Sequence, residues 1–356
     1  MSELKSTPLS EWHKTHGARM VEYAGWEMPI QYIGLKDEHL YTRNEASTFD
    51  VSHMGEIRFR GAEALEAISH LIPTDIDELK KGQAQYSFLT NERGGVVDDL
   101  IVYCFEDKND YLICVNAANT DKAFAHVEKH TKDFNVEVSN ESDEWAQIAL
   151  QGPKALAICE QVFSGTSELK PFQFFESQNC VVAFTGYTGE PGVEVFVPKS
   201  NAELVWEEFL SLGAKPCGLA ARDSLRLEAA LNLYGNELSE DCNPFERRMG
   251  WTISKTKTGY VGQKALWALK DKAGRAIKGL RSLDRAIPRA GYEVLSLEGE
   301  LIGEITSGTL SPVLNTPIAM VWIDKKSVER EKKVQVRVRG KLIDSEIIPL
   351  PFLKNK

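Results

Sequence analysis

Two adjacent carboxylates, Asp98 and Asp99, lie in the middle of an apolar, β-branched run at residues 96–102. The run predicts a strand that begins at a Gly-Gly turn. Successive strand residues point to opposite faces, so one of the two carboxylates must face apolar surroundings that oppose its charge. Such a group has a raised pKa or accepts hydrogen bonds that favour its charge, and a bound ligand can supply them. An Asp near a turn that only caps backbone N–H groups is the alternative.

Glu194 is the second candidate, since it interrupts the apolar run at 193–197. Alternation alone would direct its side chain to solvent. The functional interpretation is a carboxylate that accepts two parallel N–H bonds from a planar heterocycle. Tyr187, just before a Gly-rich turn, would stack on that ring.

Arg222 and Arg226 are one helical turn apart and therefore share a face. One interpretation is a solvated surface pair bridged to Asp223 and Glu228. The other is a fixed guanidinium that meets a carbonyl or carboxylate of a ligand.

His53, between Ser52 and Met54, is either a structural histidine or a base. The seven histidines show no metal-ligand spacing, and none of the six cysteines forms a C-x-x-C pair. The chain also lacks a phosphate loop and a G-x-G-x-x-G after a strand. We therefore expect no metal and neither of these nucleotide sites.

The elements that would position these residues are strands and helices in mixed order. Strands are predicted at 49–60, 84–90, 96–105, 110–115, 146–150, 179–187 and 193–197. Helices are predicted at 35–47, 63–71, 120–130, 155–162, 219–233 and 265–270. Residues 7–32 are predicted to be irregular. After Gly274, short alternating runs (292–297, 301–307, 318–323, 334–338 and 342–348) predict a small antiparallel barrel. The predicted domains are therefore 1–274 and 275–356.

Composition places the chain among ordinary globular proteins, with 42% hydrophobic and 26% charged residues. The formal net charge of -10 argues against a nucleic-acid partner. No export signal and no apolar run of membrane-spanning length is visible, so we expect a cytoplasmic protein with no membrane partner.

Several sequence blocks together resemble the aminomethyltransferase (T-protein) of the glycine cleavage system. They include F-D-V-S-H-M-G-E at 49–56, T-G-Y-T-G-E at 185–190 and G-L-A-A-R-D at 218–223. The other matching blocks lie at 7–9, 17–21, 24–29, 94–103, 116–119, 151–153, 192–194, 243–246 and 303–308. The blocks occur in order along nearly the whole chain.

The resemblance implies an α+β fold: a cloverleaf of two interleaved α/β lobes with antiparallel sheets, plus a C-terminal antiparallel β-barrel, around a folate channel. It implies that an aminomethyl group on the dihydrolipoyl arm of lipoylated H-protein passes to tetrahydrofolate. The products would be 5,10-methylenetetrahydrofolate, ammonia and the reduced lipoyl arm. By motif match, the catalytic carboxylate is Asp99 and the pterin-binding carboxylate is Glu194, with Tyr187 and Arg222 in the same pocket. The remaining matches to channel-lining positions are Met54, Tyr86, Tyr103, Val115 and Asn116.

These implied roles agree with elementary chemistry. A pterin offers a 2-amino group and a ring N–H on one edge, which one buried carboxylate can accept together. Asp99 would orient the folate amines and offset positive charge that develops during transfer. Many family members carry aromatic or basic residues near the C-terminus that reach the folate, whereas residues 351–356 of this chain read P-F-L-K-N-K. Lys354 is the candidate here for that contact with the glutamate tail.

Two other functions are compatible with this kind of fold. The first is a folate-dependent demethylase of a sulfonium or N-methyl donor. The second is a non-catalytic folate-binding relative, marked by a cysteine in a K-G-C-Y-x-G-Q segment. The corresponding run at 257–263 is K-T-G-Y-V-G-Q and has no cysteine, which argues against the second.

Overall fold

A computed structural model describes residues 4–330 and 332–353 of the chain. The chain forms two compact units, each assembled from two segments. The first unit comprises the chain up to Phe88 together with Asp99–Asp223, and the second comprises Leu89–Asp98 and the chain from Ser224 onward. The domain boundary at residue 275 stays a prediction, and Lys354 lies outside the described residues.

Three sheets lie wholly or mainly in the first unit. A three-stranded sheet has the order β1-β3-β2, a six-stranded sheet the order β11-β12-β13-β10-β4-β14, and a five-stranded sheet the order β6-β7-β8-β5-β9. The strands are β1 Lys5–Ser6, β2 Arg19–Tyr23, β3 Trp26–Gln31, β4 Ser47–Asp50, β5 Gly55–Arg60, β6 Gln83–Thr90, β7 Val96–Glu106, β8 Asp110–Val115, β9 Glu137–Asn140, β10 Trp145–Gln151, β11 Phe174–Ser177, β12 Cys180–Ala183, β13 Gly192–Pro198 and β14 Lys215–Pro216. Apart from two-residue parallel pairings of β1 with β3 and of β14 with β4, the registers determined for these strands are antiparallel.

Several helices bury an apolar face. In α3, for example, Leu65, Ile68 and Leu71 are buried. The helices are α1 Ser10–Thr15, α2 Leu35–Asn44, α3 Ala64–Leu71, α4 Thr120–Thr131, α5 Ala155–Val162, α6 Ala202–Ser211, α7 Leu219–Glu228, α8 Gln263–Lys270 and α9 Lys325–Arg330.

The barrel belongs to the second unit and is closed in the order β15-β18-β17-β16-β19-β20. Its strands are β15 Arg275–Ser282, β16 Glu293–Leu295, β17 Leu301–Ser311, β18 Thr316–Asp324, β19 Lys333–Val338 and β20 Lys341–Ile348. Alternate residues such as Val334 and Val336 fill its interior, while their neighbours are more exposed. The expected α+β fold with antiparallel sheets and a C-terminal antiparallel barrel is confirmed.

The sequence prediction fails at several places. The single strand predicted at 49–60 is two strands, β4 and β5. Residues 7–32 contain α1, β2 and β3 instead of irregular chain. The helix predicted at 219–233 ends at Glu228, and Ala230 adopts a left-handed backbone (φ 59°) that a helix cannot continue through. The first barrel strand, β15, was not predicted at all. Within the described ranges, no helix is long and apolar enough to cross a membrane.

Candidate active site

Asp98 and Asp99 point to opposite sides of β7, as expected for strand neighbours. Asp98 is fully buried, whereas Asp99 is half-buried. Each carboxylate oxygen of Asp99 accepts one hydrogen bond, from Tyr86 Oη at 2.9 Å and from Asn116 Nδ2 at 3.0 Å. Nδ2 of Asn116 also donates to the main-chain carbonyl of Asp99 at 3.1 Å. Two donors, one on β6 and one directly after β8, therefore fix the orientation of this carboxylate.

The sheet register explains why these residues meet. Val115, the fully buried last residue of β8, pairs with Leu100 of β7, so Asn116 arrives beside Asp99. On its other side, Val115 pairs with Gly55, the first residue of β5. The predicted positions Val115 and Asn116 are thus joined to Asp99 through the backbone ladder.

Glu194 lies on β13, with Ala149 and Ala183 as its cross-strand neighbours. It is 6% exposed, so simple alternation is wrong about its orientation. Thr185 Oγ1 donates to its Oε2 at 2.6 Å. No hydrogen bond to its Oε1 is made within residues 4–330 and 332–353. A carboxylate oxygen accepts up to two hydrogen bonds, so Glu194 retains capacity for a ligand.

Gln151 holds the loop that carries Thr185 and Tyr187. Its Nε2 donates to the carbonyls of Thr185 (3.1 Å) and Val193 (3.2 Å), and its Oε1 accepts from Thr188 Oγ1 at 2.9 Å. The amide approaches so closely that a Cβ at position 186 would lie 2.0 Å from Oε1. A larger residue there would displace the Gln151 amide from these hydrogen bonds, which accounts for Gly186 in the T-G-Y-T-G-E motif.

Arg222, near the start of α7, places its guanidinium carbon 4.8 Å from the centre of the Tyr187 ring. Such a cation–π contact orients a guanidinium without using its N–H donors. Nη1 of Arg222 is enclosed and has no hydrogen-bond partner, and the side chain makes no ion pair in the described part of the chain. Arg222 therefore presents a donor that fits a carbonyl or carboxylate oxygen of a ligand.

Met54 and Tyr103 belong to an apolar cluster that contains residues of both larger sheets. Tyr103 is fully buried, with its ring 5.4 Å from that of Phe196 and 5.6 Å from that of Phe174. Met54 packs against this cluster. Burial raises the pKa of Tyr103 well above its usual value, and the nearby Glu194 charge raises it further. At neutral pH, Tyr103 therefore contributes a neutral ring.

His53 is the residue whose place could not be read from sequence. It is 4% exposed, its ring packs edge-on against Tyr23 at 5.7 Å, and it interacts electrostatically with Arg222 and Asp50. Burial lowers its pKa to about 4, which Asp50 opposes and Arg222 reinforces. Met54 and Gly55 follow His53, and Gly55 pairs with Val115, whose neighbour Asn116 donates to Asp99. The short segment 53–55 therefore links His53, which interacts with Arg222, to the residues that hold Asp99.

All nine sequence-predicted site residues lie in the first compact unit. Hydrogen bonds join Asp99, Tyr86 and Asn116, and the ring contact joins Arg222 to Tyr187. Val115 contributes through backbone pairing, because its side chain is enclosed. Across the described residues, no group of three or more His, Cys, Asp or Glu could hold a metal ion.

Two family models match successive parts of the sequence. Residues 9–257 match the GCVT N-terminal domain, and residues 275–354 match the glycine cleavage T-protein C-terminal barrel domain. The fold and its carboxylate-bearing sheet therefore define a one-carbon transferase of the T-protein type.

Full-length relatives agree. An aminomethyltransferase of Bdellovibrio bacteriovorus is 44% identical, with 98% of this chain and 99% of that protein covered. One from Rubrobacter xylanophilus is 42% identical, with 99% and 95% covered. The crystal structure of glycine cleavage system aminomethyltransferase T from Bartonella henselae is 37% identical and superposes with a TM-score of 0.94 over 99% of both chains. The chain belongs to the glycine cleavage T-protein family.

Proposed function

We propose that this protein transfers the aminomethyl carbon from the dihydrolipoyl arm of H-protein to tetrahydrofolate. The bond between the lipoyl sulfur and that carbon breaks, and two bonds from the carbon to folate nitrogens form. The amine leaves as ammonia, and the two protons lost by the folate nitrogens end on sulfur and on ammonia. No net oxidation occurs in this transfer.

The observation that carries the proposal is the fixed carboxylate of Asp99. Tyr86 and Asn116 hold this half-buried carboxylate in one orientation, so it need not reorganise when charge develops nearby. We assign it the role of orienting the folate amines and offsetting their positive charge. Most of the remaining rate gain comes from holding the reacting atoms in register.

Residues of the first unit also fit the pterin ring. Glu194 keeps acceptor capacity in a buried position, and a pterin edge carries an amino group and a ring N–H that a carboxylate accepts together. Arg222 keeps an unpartnered donor at Nη1, which suits the ring carbonyl. Tetrahydrofolate, when bound, supplies the two amines that take up the carbon, and Glu194, Tyr187 and Arg222 would hold it. Met54, Tyr103, Val115, Tyr86 and Asn116 would line or brace the channel.

The test is the formation of 5,10-methylenetetrahydrofolate from aminomethylated H-protein and tetrahydrofolate. We expect turnover with this donor and none with sulfonium or N-methyl donors. Turnover only with the latter would make the protein a demethylase, and folate binding without any turnover would make it a non-catalytic relative.

Within the same assay, Asp99→Asn preserves shape but removes charge. We expect kcat to fall by about 10²- to 10⁴-fold while the melting temperature stays near that of the parent protein. The matched control is Glu106→Gln, an exposed carboxylate at the end of the same strand, which should leave kcat unchanged. Near-normal turnover of Asp99→Asn would remove Asp99 from the mechanism.

A further inference from the structure

The ring of His53 is buried without any hydrogen bond. It is 4% exposed, and neither ring nitrogen has a hydrogen-bond partner in the described part of the chain. Nδ1 is completely enclosed, whereas Nε2 is not among the enclosed atoms that lack a partner. Buried polar groups are nearly always hydrogen-bonded, and exceptions call for an explanation.

His13, a structural histidine in the same unit, has a hydrogen-bond partner at both ring nitrogens. Nε2 of His13 lies 2.9 Å from Asp50 Oδ2, and its Nδ1 lies 2.8 Å from Tyr32 Oη. Asp50 also accepts hydrogen bonds from Thr7 Oγ1 at 2.6 Å and from the Ser52 amide at 2.9 Å. Three donors other than His53 thus hold Asp50, and His53 has no such arrangement.

His53 lies between the two groups that the proposed reaction uses. Its ring is close enough to Arg222 for their charges to interact, and Arg222 contacts the Tyr187 ring. In the other direction, Met54 and then Gly55 follow, and Gly55 pairs with Val115, whose neighbour Asn116 donates to Asp99. His53 and Arg222 thus interact electrostatically, and each has an enclosed nitrogen without a hydrogen-bond partner among the described residues.

The tautomer follows from the enclosure of Nδ1. The pKa of His53 is lowered to about 4 by burial, so the ring is neutral at pH 7 and carries one N–H. An enclosed N–H without an acceptor is rarer in proteins than an enclosed lone pair without a donor. The proton therefore belongs on Nε2, which is then a second donor in addition to Arg222 Nη1.

We propose that His53 is a ligand-binding residue whose Nε2–H donates, together with Arg222, to a carbonyl oxygen on the pterin ring of the folate. Two donors on one oxygen match the acceptor character of Glu194, which takes the adjacent N–H edge of the same ring. This inference rests on the proposed function, because it assumes that a reduced folate occupies the site.

Calorimetric titrations with tetrahydrofolate under anaerobic conditions, carried out on three variants, test this role of His53. His53→Leu removes both nitrogens and should raise Kd by about 5- to 20-fold. His53→Gln puts an amide near the position of Nε2 and should keep Kd within about threefold of the parent value. His53→Asn, whose amide reaches only as far as Nδ1, should behave like His53→Leu. The control His16→Leu removes an exposed histidine directly after α1 and should leave Kd unchanged.

The rescue by Gln but not by Asn separates ligand binding from a structural role. A purely structural role predicts lower melting temperatures with the same Kd in every folded variant, and that result would overturn the inference. If the parent protein itself fails to bind tetrahydrofolate, the proposed function fails as well. Binding by the parent protein with an equal Kd for His53→Leu sinks the His53 inference alone.

A measurement on the unsubstituted protein avoids any dependence on variant folding. In ¹⁵N-histidine-labelled protein at pH 7, we expect His53 to be neutral with its proton on Nε2. Saturation with tetrahydrofolate should shift the Nε2 resonance while the Nδ1 resonance changes little. A proton on Nδ1, or no change at Nε2 on saturation, would contradict the proposal.

Discussion

Two arginines one helical turn apart on α7 have opposite surroundings. Arg226, in the second compact unit, is 1% exposed and donates to Glu237 Oε2 (3.1 Å), Ser307 Oγ (2.9 Å) and the Leu231 carbonyl (3.2 Å). Ser307 Oγ in turn donates to Glu237 Oε1 at 2.7 Å, which closes the network. Arg222, in the first unit, contacts the Tyr187 ring and interacts electrostatically with His53, and its enclosed Nη1 has no hydrogen-bond partner among the described residues.

The difference separates a charge that stabilises the fold from one kept for a ligand. Arg226 donates hydrogen bonds to protein acceptors, so removing it leaves the buried Glu237 carboxylate without its ion-pair partner. Arg222 donates to no carboxylate of the described residues, so its removal should change the free energy of unfolding little. The same contrast distinguishes His13, whose nitrogens are both partnered, from His53. Four substitutions or conditions can break or sharpen this comparison.

The largest effect on stability is expected for Arg226→Met. The variant strands Glu237 in the interior, and the free energy of unfolding should fall by about 3–5 kcal/mol. Urea denaturation measures it. The matched control is Arg93→Met, which removes an exposed arginine paired with Asp241 in the same unit and should cost less than about 1 kcal/mol. Equal losses in both variants would show that the Arg226 network does not stabilise the fold.

Sequence patterns predicted much of the scaffold but not this distinction. The strand at 110–115 and the helix at 155–162 match the structure at both ends, because local alternation and helical spacing are strong there. The shared face of Arg222 and Arg226 was also visible. Which of them is buried was not, because Glu237 and Ser307 lie 11 and 81 residues away from Arg226. The surface-pair interpretation is therefore wrong for Arg226.

Failures elsewhere have related causes. Residues 7–32 are dense in aromatics and glycine and lack clean periodicity, yet tertiary contacts make them ordered: His13 of α1 is held by Asp50, 37 residues on. β13 lies between β10 and β12, and its residues 192–197 are all buried, so both faces of the strand are covered. Alternation within one strand cannot show that. An unpartnered nitrogen such as that of His53 is a property of three-dimensional packing alone.

The next effect concerns pH and the unpaired histidine. The pKa of His53 is about 4 in the folded protein and about 6.5 when unfolded. The unfolded chain therefore binds the proton first as pH falls, and stability should decrease between pH 6.5 and 4 by up to about 3 kcal/mol. Asp50 has a lowered pKa, so its stabilising contribution is lost only at still lower pH. Urea denaturation from pH 7.5 to 4.5 measures the slope.

The control for that slope is His53→Leu, in which this part of the pH dependence should disappear. Loss of the slope in His16→Leu instead, with an unchanged slope in His53→Leu, would assign it to another histidine. That result would also weaken the case for a neutral, enclosed ring at position 53.

Substituting Arg222 should weaken ligand binding more than it lowers the stability of the fold. We expect Arg222→Met to raise the Kd for tetrahydrofolate by about 10- to 100-fold, because a hydrogen bond from a charged donor is lost. Its free energy of unfolding should change by less than about 1 kcal/mol, since no ion pair is broken. Arg19→Met, which removes an exposed arginine of β2, is the control for calorimetry and denaturation. A large loss of stability with unchanged Kd would make Arg222 another structural arginine and end the contrast.

The smallest effect is expected for Glu194→Gln, which keeps an acceptor oxygen but removes its charge. One amide oxygen can still accept from Thr185 or from the ligand, so Kd should rise by only about 5- to 20-fold. Glu176→Gln, on an exposed position of β11 in the same sheet, should leave Kd unchanged. If the Glu194 variant binds as tightly as the parent protein, its buried carboxylate serves only Thr185. The open acceptor would then have no role in recognising the pterin, and only the donors of Arg222 and His53 would remain to hold the ring.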